Sequence, residues 1–133
     1  MPGDPFNLQR FLEAQAGGVY QQALAELRAG RKRSHWMWFI FPQHANLGRS
    51  PTAKYFGLSG LDEARDYAAH SILGDRLKEC CRAVLPHLLK EPAETVLGPI
   101  DALKIRSSME IFNEADRDEP LYREVLAATN RRA

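Results

Sequence analysis

The stretch GPIDALKIRSSMEIFNEA, residues 98–115, decides the fold class. Its apolar residues recur at spacings of three and four, not in alternation, so it reads as one long helix. At about 100° per residue, Ile100, Leu103, Ser107 and Ile111 fall near one another, and Ile105, Met109 and Phe112 lie on the flank of the same arc. Arg106, Glu110, Asn113 and Glu114 are expected to face water. Lys104 lands inside the apolar arc, with Asp101 and Ser108 at contact spacings of three and four. An ammonium on a packing face is costly unless it is paired or lines a polar cavity. Lys104 and Asp101 are therefore the candidate reactive pair, with the Ser107 and Ser108 hydroxyls beside them.

The same periodicity extends outward in both directions. VYQQALAELRAG turns Tyr20, Ala23, Leu24 and Leu27 to one side and stops at Gly30. SGLDEARDYAAH places Leu61, Ala64, Tyr67 and Ala68 inward, with its acids in the first turn, where the helix dipole favours them. SILGDRLKECCRAVL continues with Leu73, Leu77, Cys80, Cys81 and Val84, and Pro86 is expected to kink or end that helix. DPFNLQRFLEAQ opens with Asp4 as a cap and Pro5 at the first helical position. Ser50-Pro51 is a second start of that kind, EPAETVLG is a short helix after Pro92, and PLYREVLAAT begins at Pro120. The expectation is an all-α protein, a compact single-domain bundle of residues 1–133 with about seven to nine short helices.

RKRSHWMWFIFPQ, residues 31–43, concentrates the aromatic area. Ser34 is expected to cap a short helix there and Pro42 to end it, with a strand as the rival because Trp and Phe suit both. His35, Trp36 and Trp38 suit stacking on a flat ligand, and Gln43 a polar edge. The alternative is that the rings are core. Arg28, Arg31, Lys32 and Arg33 form a cationic run that suits phosphates or dresses a helix C-terminus. The acidic residues between 110 and 119 are its expected internal counterpart.

The 133 residues, 44% hydrophobic and 26% charged, are enough for one real core. A net charge of +1 disfavours nucleic acid as a partner. No apolar run reaches the ~20 residues that span a bilayer, and the N-terminus lacks a signal-peptide pattern, so a cytoplasmic protein is expected. Cys80 and Cys81 are adjacent and read as buried thiols. The sequence has no His-Glu-x-x-His, no Gly-x-Gly-x-x-Gly, no phosphate loop and no nucleophile elbow, so no metal or cofactor is expected.

DPFNLQRFLEAQ, ALAELRAGRKRSHWMWFIFPQ, LSGLDEARDYAAHSILGDRLKEC and DALKIRSSMEIF together resemble the bacterial family catalogued as domain of unknown function 1810, in its order and spacing. The resemblance runs from Asp4 to about Phe112 and implies a compact bundle of short helices. Some members carry the label calpastatin, for which the residues give no support. Such sequences usually continue into a Gly- and Asp-containing tail. This chain ends at LAATNRRA; the expectation is either that the tail is dispensable or that this version is truncated, and a pocket closed by that tail would then be open.

An aromatic segment followed by Asp-x-x-Lys and a Met on a late helix is also similar to the all-helical NAD/ADP-ribose-associated superfamily. That likeness implies a nucleotide-like ligand and N-glycosidic chemistry, with Lys104 and Asp101 beside the ribose and Trp36 or Trp38 facing the base. Three readings follow. The first is a nucleotide-like small-molecule site in which Lys104 anchors or exchanges a proton, Asp101 tunes it, Ser107 and Ser108 hold hydroxyls, and His35, Trp36, Trp38, Gln43 and Arg33 line the ligand. The others are a nucleic-acid binder through residues 28–33 and an interaction module without chemistry. The last predicts a Lys104–Asp101 pair and an exposed apolar patch.

Overall fold

A computed structural model describes residues 3–130; the last three residues of the LAATNRRA terminus lie outside them. The helices are α1 Gln9–Ala14, α2 Val19–Ala29, α3 Met37–Ile40, α4 Pro51–Tyr55, α5 Leu61–Ala69, α6 Leu73–Leu88, α7 Ala93–Leu97, α8 Pro99–Ala115 and α9 Leu121–Thr129. A 3-10 turn covers Ala45–Leu47. The fold is all-α: among the described residues the β pairing is an isolated bridge between His44 and Leu58. The aromatic segment is helical at α3, not a strand.

Local chemistry accounts for most of the boundaries. Gly30 ends α2 in the left-handed conformation (φ 77°), which glycine adopts without a Cβ penalty. The Ser50 hydroxyl accepts the Ala53 N–H, and Pro51 starts α4. Two starts differ from expectation. α1 begins at Gln9, not Pro5, because the Asp4 carboxylate reaches past a turn to accept the Leu8 and Gln9 N–H groups, each at 2.7 Å. Ser34 does not cap α3, because its hydroxyl donates to Glu26 instead. Pro86 does not end α6, which runs on to Leu88. Arg82 and Pro86 both face solvent, so water can satisfy the carbonyl that loses its partner, and the buried Leu88 holds the last turn in place.

α8 lies between α5, α7 and α9, and α6 packs on α2, α5 and α9. A run of ring contacts ties the layers together. Phe11 meets Tyr67 edge-on at 5.0 Å, Tyr67 meets Phe112 at 5.4 Å, and Phe112 meets Tyr122 at 5.7 Å. α5 and α6 approach so closely at Gly74 that a Cβ there would stand 2.1 Å from the Ala68 carbonyl oxygen.

Cys80 and Cys81 are fully buried and free. The Cys81 thiol donates to the Met109 sulfur at 3.8 Å. Burial pushes the Cys80 thiol up to about 12 and raises Cys81 as well. Thiolate is the reactive form, so both are inert in the folded chain. An aromatic disulfide reagent at mildly alkaline pH should titrate neither thiol in native protein and both in denaturant. Rapid native reaction of either would contradict this burial.

Candidate functional site

The loop after α2 brings the candidate residues together. Glu26, on α2, is buried and holds this loop from beneath. Its Oε1 accepts the N–H groups of Arg33 (2.7 Å) and Ser34 (2.9 Å) and the Trp36 indole Nε1–H (3.0 Å). Its Oε2 accepts the Ser34 hydroxyl (2.6 Å) and the Gln22 amide (2.8 Å). Burial alone would raise the Glu26 carboxyl. The hydrogen bonds from Gln22, Ser34 and the Arg33 and Ser34 backbone outweigh it and hold the group well below the usual carboxylate range.

The same loop is strapped to the start of α8. The Lys32 N–H donates to the Val96 carbonyl of α7 at 3.0 Å. Its ammonium donates to the Ser34 carbonyl at 2.6 Å and pairs with Asp101 Oδ2 at 2.8 Å. Lys104 approaches the other carboxylate oxygen, Oδ1, at 3.6 Å. Two ammoniums thus share one carboxylate, leaving a local excess of one positive charge. Each also lies over an indole face, Lys32 over Trp36 at 4.9 Å and Lys104 over Trp38 at 4.6 Å, a favourable cation–π placement.

Lys104, Asp101 and Trp38 therefore form one corner, to which Lys32 is added. Trp38 is half-buried, whereas Trp36 is 1% exposed and belongs to the core, so it presents no wall for stacking. His35 and Arg33 are exposed on the same loop. Gln43 is half-buried, and its carbonyl accepts the Leu58 N–H at 2.8 Å beside the His44 bridge. Ser107 spends its hydroxyl on the Leu103 carbonyl at 3.2 Å. Ser108 is fully buried with no hydrogen-bond partner for its hydroxyl.

The face of α8 differs from the sequence expectation. Ala102, Ile105, Ser108, Met109 and Phe112 are buried, while Ile100 and Leu103 are 68% and 62% exposed. Lys104 sits at the edge of the packed face, not at its centre. The helix carries apolar residues on both sides, and packing against α5, α7 and α9 selects the side that includes Phe112.

The cationic run is largely neutralised, though not by residues 110–119. Arg28 pairs with Glu79 at 3.5 Å, Arg31 with Glu91 at 3.0 Å and Lys32 with Asp101. Arg31 also holds the Glu91 carboxyl below its ordinary value by hydrogen bonding. Among the described residues, no group of three or more His, Cys, Asp or Glu is placed to hold a metal ion, and no helix is long and apolar enough to cross a membrane.

Three charged residues that the helical wheels did not single out turn out to be buried: Glu26, Arg10 and Glu63. Glu63 had a usable signal, an acid in the first turn of α5 just after Ser59. Its Oε1 accepts the Ser59 N–H and hydroxyl at 2.9 and 3.0 Å, which ties the residue ahead of the Gly60 cap to the first turn of the helix.

Fold and site together define a small all-α protein with a cationic, aromatic corner where the α2–α3 loop meets the start of α8. Over residues 5–131 the chain matches the family described as "Protein of unknown function (DUF1810)", and it belongs to that family. It is also similar to the crystal structure of the conserved hypothetical protein Rv1873 from Mycobacterium tuberculosis, with 48% identity and a TM-score of 0.89 over 93% of this chain and 87% of that one. No curated protein matches the chain. Neither description names an activity.

Proposed function

We propose that this domain binds a nucleotide-like or ADP-ribose-like small molecule at the corner formed by Lys32, Trp38, Asp101 and Lys104. The observation that carries the reading is the sharing of Asp101 by two ammoniums beside a half-buried indole. The surplus positive charge suits a phosphate, and the Trp38 ring suits a base or nicotinamide. His35 and Arg33 are exposed on the same loop and are the further polar groups this reading assigns to a phosphate or ribose.

Binding is favoured over N-glycosidic hydrolysis. In such a reaction Asp101 would be the group to stabilise positive charge on the ribose or to activate water. Both of its oxygens already face an ammonium, which opposes either role. A nucleic-acid partner gains little from residues 28–33, since three of the four cations have carboxylate partners. The exposed Ile100 and Leu103 favour a second reading, a protein-interaction surface.

A thermal-shift screen with NAD, ADP-ribose, nucleosides and nucleotides tests the binding site. A ligand at 100 times its dissociation constant adds about 2.7 kcal/mol of apparent stability. The expected result is a shift in wild type that is lost in Lys104→Met, with the variant still folded. No shift with any of these compounds, together with a variant as stable as wild type, would overturn the proposal and leave Lys104 a structural ion-pair member.

A further inference from the structure

The two ammoniums at Asp101 are not equivalent. Lys32 donates to the Ser34 carbonyl at 2.6 Å, pairs with Asp101 Oδ2 at 2.8 Å and lies over the Trp36 ring, and its side chain is only 8% exposed. Lys104 stays 3.6 Å from Oδ1 and is 21% exposed, over the half-buried Trp38. It donates no hydrogen bond within the chain among the described residues. An ammonium has three donors. Those of Lys32 are largely committed, whereas those of Lys104 meet only a ring face and a distant carboxylate.

Backbone anchors hold Lys32 in place independently of its charge. Its own N–H donates to the Val96 carbonyl at 3.0 Å, and the N–H groups of the next two residues donate to Glu26 at 2.7 and 2.9 Å. Asp101 is fixed in the first turn of α8, three residues from Lys104 on the same helix. At that spacing a carboxylate and an ammonium readily close into a pair. Without Lys32, Asp101 would be drawn to Lys104, since the attraction grows as the distance falls, and its carboxylate would fill the place that an incoming anion needs.

We propose, resting on the reading of this corner as a phosphate-binding site, that Lys32 is its positioning residue: it holds Asp101 away from Lys104, so that Lys104 and not Lys32 meets the phosphate of the ligand. Asp101 is then an internal competitor of the ligand, and Lys32 suppresses it. A phosphate arriving at Lys104 takes up the donors that the chain leaves unused. Asp101 keeps its partner in Lys32, so binding strands no half-buried carboxylate.

Proton–nitrogen correlation NMR of the lysine ammoniums tests the ligand-free chain, because hydrogen bonding and burial slow their exchange with water and make them visible. Wild type should show Lys32 and not Lys104. Lys32→Met, whose side chain can still cover Trp36, should bring up a Lys104 signal, and adding Asp101→Asn should remove it. Calorimetric titration with ADP-ribose tests the consequence. Lys32→Met should weaken binding about tenfold or more while keeping its helical circular dichroism, and the double variant Lys32→Met with Asp101→Asn should return to within about threefold of wild type. If Lys32 were only a strap for its loop, Asp101→Asn would restore nothing. Asp101→Asn alone should bind about threefold or more tighter, a readout that survives even if Lys32→Met fails to fold. A Lys104 signal in wild type would overturn the proposal, as would a double variant no better than Lys32→Met or an Asp101→Asn variant that binds no tighter. Wild type that does not bind ADP-ribose would count against the ligand reading instead, and the ammonium spectra would still decide whether Lys32 keeps Lys104 free.

Discussion

Replacing Glu63 with alanine is expected to lower unfolding stability by about 3–5 kcal/mol, the usual cost of stranding one member of a buried ion pair. Arg10 and Glu63 meet at 2.8 Å with side chains only 7% and 3% exposed. The guanidinium has five N–H groups, and each has an acceptor. Nε–H donates to the Tyr55 carbonyl, Nη1 to those of Phe6 and Asn7, and Nη2 to the Gly57 carbonyl and Glu63. One side chain therefore fastens α1 to the end of α4, to the turn after it and to the first turn of α5.

Urea unfolding followed by circular dichroism measures the effect. A loss of less than about 1 kcal/mol would mean that water reaches Arg10 and the pair is not buried in solution. Removing both partners, Arg10→Leu with Glu63→Leu, should not restore stability. Apolar replacement of a simple buried pair is often neutral, but here the carbonyls of Phe6, Tyr55 and Gly57 would lose the guanidinium, while that of Asn7 keeps the Arg10 backbone N–H. Full recovery in the double variant would contradict that role.

Glu26→Ala is expected to cost about 3 kcal/mol near neutral pH, because it strands the buried Trp36 indole N–H and releases the loop that carries Lys32. The donors to Glu26 are all neutral, so the carboxylate is stabilised by hydrogen bonding and not by an opposing charge. The effect has a pH signature. The folded carboxyl is held below its ordinary value of 4.5, so the unfolded chain takes up the proton first as pH falls. The Glu26 contribution is fully present above that value and is lost progressively below it. Wild type should therefore lose stability more steeply than Glu26→Ala between about pH 5 and pH 3. Parallel losses in denaturant titrations across that range would remove Glu26 as the source. A smaller ligand-induced shift in the same variant would tie the loop to the proposed anion corner.

Much of the architecture is local and was legible in the residues. Gly30 stops α2 because the chain must turn left-handed there, and Ser50-Pro51 starts α4 because both residues suit a helix entrance. Tyr20, Ala23, Leu24 and Leu27, like Leu73, Leu77, Cys80, Cys81 and Val84, form a single apolar stripe on their helices, so each has only one face to bury. α8 is different. It carries apolar residues almost all round, and its own sequence cannot choose between the side of Ile100 and Leu103 and the side of Ile105 and Phe112.

The neighbours of α8 made that choice, and so moved Lys104 from the middle of a packing face to its edge. The meeting of Lys32, Trp38, Asp101 and Lys104 is likewise tertiary. The contact between Lys32 and Asp101 joins residues 69 positions apart (101 − 32), through a loop whose path is fixed by Glu26 beneath it. Buried charges such as Arg10 and Glu63 follow the same rule: charged residues are normally read as solvent-facing, and only the folded chain supplies the acceptors and donors that make their burial affordable. The sequence by itself determined the helices, their ends and most of their inward faces, because those depend on neighbours three or four residues away. Which face of α8 packs and which charges meet depend on contacts between distant segments, and only the tertiary structure decided them.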